Sequence, residues 1–182
     1  MVTSSVHYSS KTIEWGTPPE ILAMVADMGY RIVLDVCATP GRQVCDTYFS
    51  PPSSSAIEPC SSRDLGSVAP AAYDGLSQPW RVVFGLPEGS VAWCNPPYGR
   101  EIGRWVAKAA SEARDRGVTS VCLLPARTDT TWWHDYCQPI LEGDRPGHVK
   151  FLKGRVRFIS PDGGRRTSAP FPSVLVVFGD AK

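Results

Sequence analysis

Apolar residues recur along the chain with two different periods. Ile21, Leu22, Val25 and Met28 share one face of a predicted helix that opens at Thr17-Pro18-Pro19-Glu20. Thr17 can cap that helix, proline suits a first turn whose amides lack partners, and Gly29 ends it. A second stripe, Ile102, Trp105, Val106, Ala109 and Ala113, predicts a helix from about Arg100 to Arg116, stopped by Gly117. Short unbroken apolar runs mark buried strands: Arg31 to Val36 (RIVLDV), Val91 to Cys94 (VAWC) and Val118 to Leu124 (VTSVCLL). Arg81 to Leu86 (RVVFGL) is either a strand or a loop, and Thr128 to Tyr136 reads as a short aromatic helix. Val149 to Leu152, Arg155 to Ile159 and Ser173 to Phe178 are later strands. Pro161-Asp162-Gly163-Gly164 forms a turn between the last two.

Strand and helix alternate from 18 to 124, and a hairpin pattern closes the chain. This order predicts an α/β sandwich, mostly parallel, with an antiparallel edge at its C-terminal end. Ligands of such sheets bind outside the carboxyl ends of the strands, where the polar turns 35–41 and 95–98 fall. A length of 182 residues fits one domain, at roughly 150 residues each. Residues 50 to 72 are rich in Ser, Pro and Ala, lack any period, and read as a surface insertion.

Composition narrows the class. With 42% hydrophobic and 20% charged residues the chain is globular, and no apolar run approaches the ~18 residues of a membrane helix. Met1 to Lys11 is polar, without an apolar signal region, so the expected location is the cytoplasm. The six cysteines show no zinc-knuckle or redox spacing and are expected to be reduced; no metal is implied. Formal charge is only +1, but it is unevenly spread: residues 1–99 carry a net −4 and residues 100–182 a net +5. A basic second half suits a polyanionic partner, although ordinary scatter of surface charge gives the same arithmetic.

Asn95-Pro96-Pro97-Tyr98 carries the most specific chemistry. Two prolines fix φ, remove two amide donors, and push the residue before each away from helix. The expected product is a rigid loop with outward carbonyls and no internal donor. Asn95 adds a side-chain carbonyl. Paired acceptors suit a planar primary amine such as that of a nucleobase, and Tyr98 offers a face for stacking. The plain alternative is a loop that merely ends a strand.

This tetrapeptide resembles motif IV of the amino-methyltransferases that use S-adenosylmethionine. The resemblance implies that the Asn95 side chain and the Pro96 carbonyl hold the target nitrogen, with Pro97 stiffening the loop and Tyr98 stacked on the base. Related sequences methylate adenine, cytosine N4 or glutamine, so the tetrapeptide alone leaves the substrate open. The ordered set narrows it: Trp15-Gly16-Thr17-Pro18, Leu34-Asp35-Val36-Cys37-Ala38, Asp74-Gly75-Leu76 with Trp80, the NPPYG segment, Leu123 to Thr130 with Trp132 and His134, Gly154 to Phe158, and Pro172-Ser173. From about Trp15 to Phe178 these are similar to the phage DNA N6-adenine methyltransferases, the Dam-like enzymes of bacteriophages and prophages.

That resemblance implies a Rossmann-like class I methyltransferase fold, a mostly parallel sheet with an antiparallel C-terminal strand and helices on both faces. It also implies methyl transfer from S-adenosylmethionine to the N6 amine of adenine in double-stranded DNA. Trp15, Thr17 and Pro18 match the motif that holds the methionine end of the cofactor; a helix N-terminus with a hydroxyl suits a carboxylate, or is a simple cap. Asp35 matches the acidic residue that meets the cofactor ammonium, and Cys37 and Ala38 leave room in the turn. Asp74 and Leu76 match the place beside the cofactor adenine, where a plain turn is the alternative. Arg127, Asp129, Trp133 and His134 are candidate DNA contacts, the tryptophans alternatively a core pair. Arg155, Arg157, Arg165 and Arg166 are candidates for the DNA backbone. The usual glycine-rich turn is reduced to Asp35-Val36-Cys37-Ala38-Thr39-Pro40-Gly41, and 50–72 is an insertion relative to the family. A monomer or weak dimer in a bacterial host's cytoplasm is expected. An RNA- or protein-directed amino-methyltransferase and an idle DNA-binding module are the alternatives.

Overall fold

A computed structural model of the chain describes residues 16–38, 42–49, 74–160 and 166–180. Trp15, Cys60, Arg165, the 50–72 segment and the Pro161 to Gly164 turn lie outside these residues. In chain order the elements are α1 (Pro19–Asp27), β1 (Ile32–Asp35), α2 (Trp80–Val83), β2 (Val91–Cys94), α3 (Ile102–Arg116), β3 (Thr119–Pro125), a π-helical turn (Trp133–Cys137), α4 (Gln138–Leu141), β4 (Gly147–Phe151), β5 (Arg157–Ile159), β6 (Arg166–Ser168) and β7 (Ser173–Phe178).

Five strands form one sheet in the order β1-β2-β3-β7-β4. β1 with β2 and β2 with β3 pair in parallel, whereas β7 is antiparallel to both β3 and β4. Four strands therefore run one way and β7 the other, as in methyltransferase-like folds. The reversed C-terminal strand was expected at the edge; it lies inside the sheet, and β4 closes that side. All six residues of β7 are buried, as are all seven of β3. Strands covered on both faces read as continuous apolar runs, and an internal position is what SVLVVF specifies.

Alternate side chains on the strands feed two cores. Val91, Trp93, Val121, Leu123, Leu175 and Val177 pack with Ile21 and Val25 of α1 on one face. Ala92, Cys94, Cys122, Leu124, Val174 and Val176 pack on the other, against Ile102, Trp105, Val106 and Ala109 of α3 and against Trp133, Cys137 and Ile140. Helices thus cover both faces. α3 ends at Gly117, whose φ of 62° is the left-handed conformation of a glycine C-cap.

Several expectations need correction. Thr17 does not cap α1: Pro18 occupies the cap position and no side chain bonds the first amides. RVVFGL contributes to a short helix, α2, not a strand, because Trp80 is fully buried and its amide donates to the carboxylate of Glu112 at 3.2 Å. The aromatic helix starts later than expected, at Thr131, and continues through the π turn to Leu141. β5 is followed in the chain by β6 and not by β7, and the two pair antiparallel in a separate two-stranded sheet. Thr47–Phe49 runs beside the end of β1, with a parallel bridge between Asp35 and Tyr48. No helix among the described residues is long and apolar enough to cross a membrane.

Candidate active site

β1, β2 and β3 end on the same side of the sheet, so the loops after Asp35, Cys94 and Pro125 converge. Asn95 follows the last residue of β2 and is half-buried. Its Nδ2 donates to Thr17 Oγ1 at 3.3 Å, which joins the loop before α1 to the loop after β2. The Tyr98 hydroxyl lies 2.8 Å from Asn95 Oδ1 and 3.1 Å from the Leu123 carbonyl, both acceptors for its proton. Burial holds that phenol well above its usual pKa of 10.0, so it stays a donor at neutral pH. The Tyr98 ring meets Phe158 and Phe171 edge-on, with centroids 5.8 and 5.4 Å away. The loop is stiff, but not free of internal donors as expected: Gly99 N–H donates to the Pro97 carbonyl at 2.9 Å. Pro96 is buried.

Asp35 ends β1 and is 4% exposed. Its two oxygens accept from the Cys37 amide at 3.3 Å and the Val44 amide at 3.2 Å, so the carboxylate organises the turn that follows. Burial pushes its pKa up to about 6, against the opposing pull of those two amides. Cys37 and Ala38 lie in this turn. The Cys37 Sγ is 3.9 Å from that of Cys94, and burial raises both thiols. Ala38 is buried, its amide on the Phe49 carbonyl at 2.9 Å. Cys37, Cys45, Cys94, Cys122 and Cys137 are all free thiols.

Asp74 is exposed and accepts from the Leu76 amide at 2.9 Å, the local turn weighed as its alternative role. Leu76 is half-buried against the core. The residue between them does more than the sequence signalled. A Cβ on Gly75 would overlap the Val36 carbonyl oxygen and come within 3.2 Å of the Trp105 ring. The Gly75 carbonyl accepts from Trp80 Nε1 at 2.6 Å. Asp74 and Leu76 are thereby held against the end of β1.

The basic candidates divide. Arg127 is exposed after β3, 6.0 Å over the Phe171 ring that touches Tyr98. The β5–β6 hairpin carries exposed Arg157 and Arg166, and exposed Arg155 precedes it. It joins the site through Phe158 on Tyr98 and a bridge in which Gly16 and Ile159 exchange amide hydrogen bonds of 3.0 Å. Arg166 also pairs with Glu20 at 2.7 Å. Asp129 and His134 are exposed. Trp133 is a correction: it has no exposed surface, donates to Gln138 Oε1 at 3.1 Å and packs on Trp132 and Phe151, so it takes the core role and cannot stack on a displaced base. The sequence missed Thr17 as a partner of Asn95, and Phe158 and Phe171 as the walls of Tyr98. It also missed Glu112, which has no exposed surface and binds Lys108 at 2.6 Å and Arg116 at 3.1 Å. Only the apolar neighbours of Glu112 in the α3 stripe hinted at its burial.

A proline-stiffened acceptor loop at the carboxyl end of an inner strand, in a mostly parallel sheet with one reversed strand, is consistent with the methyltransferase-like class of α/β enzymes. A family profile described as DNA N-6-adenine-methyltransferase (Dam) matches residues 71–182, more than half of the chain. The chain belongs to this family. No curated protein matches it significantly. The matched region holds Gly75, the Asn95 to Tyr98 loop, Arg127 and the hairpin; the turn after Asp35 and the Thr17 loop precede it.

Proposed function

We propose that the protein transfers a methyl group from S-adenosylmethionine to the N6 amine of adenine in double-stranded DNA, on a Rossmann-like class I fold. The observation that carries this reading is the Asn95 amide, fixed between two hydroxyls at the carboxyl end of β2, inside the region matched to the Dam family.

The residues around Asp35 fit the cofactor. A carboxylate 4% exposed, at the end of the first strand and with a pKa pushed up to about 6, is a group that a neighbouring ammonium would return to its ionised form. Asp35 would hold that ammonium, directly or through water. Thr17 and Pro18 would meet the methionine carboxylate, and Leu76 would cover the adenine ring. When bound, the cofactor supplies a methyl carbon activated by the adjacent sulfonium. The chain's own work is placement. Asn95 Oδ1 and the Pro96 carbonyl would accept the two amine hydrogens, which aims the nitrogen lone pair and favours the positive charge it gains. As the nitrogen–carbon bond forms the carbon–sulfur bond would break, its electron pair staying on sulfur as a thioether, and the nitrogen would then shed one proton to water. Tyr98 stacks on the base, which has to leave the duplex to reach this loop. Arg127, Arg155, Arg157, Arg165 and Arg166 contact the DNA backbone, with Asp129 and His134 beside them. Residues 1–182 act as one domain, as a monomer or weak dimer, in the cytoplasm of a host carrying the gene on a phage or prophage.

The test is incubation with S-adenosylmethionine labelled in its methyl group and with DNA, RNA and protein offered separately. Label recovered from DNA as N6-methyladenine supports the proposal. Label in RNA or protein, or none at all, overturns it.

A further inference from the structure

We infer that Thr17 is a positioning residue for methyl transfer: its hydroxyl holds the Asn95 amide in the orientation that presents oxygen, not nitrogen, to the target amine. This rests on the proposal that Asn95 accepts from that amine.

An asparagine amide is nearly symmetric in shape and opposite in chemistry at its two ends, since Oδ1 accepts and Nδ2 donates. Turned over, it would set donor hydrogens against the amine hydrogens, and the acceptor would be lost. Tyr98 alone does not prevent this. Its hydroxyl is 2.8 Å from Asn95 Oδ1 but also 3.1 Å from the Leu123 carbonyl. A phenol that donates to Leu123 can accept from a reversed Asn95, so this end tolerates both orientations. At the other end Nδ2 donates to Thr17 Oγ1 at 3.3 Å, a contact that holds the amide in the orientation seen.

Thr17 is well placed to do so. A β-branched side chain is stiff at χ1. Its backbone is pinned on one side by Gly16, bridged to Ile159, and on the other by Pro18 and the start of α1. Its hydroxyl accepts from Asn95 and keeps its own proton to donate. A carboxylate drawing on that proton leaves Thr17 able only to accept from Asn95, which locks the amide oxygen toward the amine. Occupancy of the cofactor site and alignment of the acceptor are thus coupled through one hydroxyl.

The test compares wild type with Thr17→Val, which keeps the shape and loses the hydroxyl, and with Thr17→Ser, which keeps the hydroxyl. At saturating cofactor and DNA, kcat of Thr17→Val is expected to fall about tenfold, the worth of one hydrogen bond. Binding of S-adenosylhomocysteine should weaken too, since the same hydroxyl meets its carboxylate, but saturation removes that loss from kcat, and Thr17→Ser should recover most of the turnover. Without any turnover assay, the side-chain amide resonances of Asn95 should shift in Thr17→Val and stay near wild type in Thr17→Ser. Unchanged saturating kcat in Thr17→Val, a loss confined to cofactor affinity, or failure of serine to rescue overturns the inference while the DNA reading stands. Absence of methyl transfer to DNA by the wild type overturns both.

Discussion

At Asp35 burial of a single carboxyl couples the fold to a proton. Its folded pKa lies near 6, above the ordinary value of 3.8, because burial penalises the charged form. Between those two values the folded protein binds more protons than the unfolded chain, so the Asp35 contribution favours folding at low pH. It is lost as pH rises from about 4 to about 6, and amounts to roughly 3 kcal/mol over the window. Urea melts across that range, wild type minus Asp35→Asn, should show this slope and level off above pH 6. A flat difference would mean that Asp35 is not held in a raised state. Tyr98 makes a second case at this scale. Tyr98→Phe keeps the ring between Phe158 and Phe171 and loses the hydroxyl from Asn95 and Leu123. Turnover should drop about tenfold while stability falls by about 1 kcal/mol, the value of one hydrogen bond. A variant with wild-type turnover would leave the ring as the only contribution of this residue.

Among the elements, the least conspicuous residues carry the sharpest constraint. Gly75 sits where any side chain would strike a backbone carbonyl of the first strand's exit, and backbone cannot yield as a side-chain tip can. Gly75→Ala should therefore displace the 74–78 turn and cost on the order of 2 kcal/mol, as overpacking does. Thermal melting and S-adenosylhomocysteine titration should both register it, and a variant normal in both would refute the close approach. Behind the turn, Trp80 is anchored by its indole on Gly75 and its amide on Glu112, so helix α3 supports the 74–78 turn. The sequence carried some of this and hid the rest for physical reasons. β2, β3 and β7 are covered on both faces, which leaves a continuous apolar run, and α3 buries one stripe; such signals are local. α2 spans four residues, too few for a period to appear, and β6 is three exposed polar residues. The Thr17–Asn95 bond joins positions 78 apart, and Glu112 reads as one more charge on a solvent face. Asn95-Pro96-Pro97-Tyr98 was legible because proline acts on its own backbone; its partners were not, because partnership is decided by the sheet.

On the scale of the whole molecule, the charge split between the two halves of the chain becomes a surface. The basic excess includes Arg127 after β3 and Arg157 and Arg166 on the β5–β6 hairpin, and Phe158 ties that hairpin to Tyr98. Cations grouped beside an acceptor loop suit a substrate whose backbone is anionic while its reacting atom is an uncharged amine. Contacts of this kind hold DNA in place without reading its sequence. Arg157→Ala should accordingly weaken binding to all DNA sequences alike, and lower the slope of log affinity against log salt by about one. Arg166→Ala should do less at low salt, because Arg166 already shares its charge with Glu20 at 2.7 Å, and a contact partly neutralised releases fewer counterions. Glu20→Gln alone, with Arg166 intact, should free Arg166 and raise DNA affinity above wild type. Fluorescence anisotropy with two unrelated duplexes over a salt series measures all three variants. An Arg157→Ala defect confined to one duplex would assign that residue to base reading, and an unchanged salt slope would remove the hairpin from the interface.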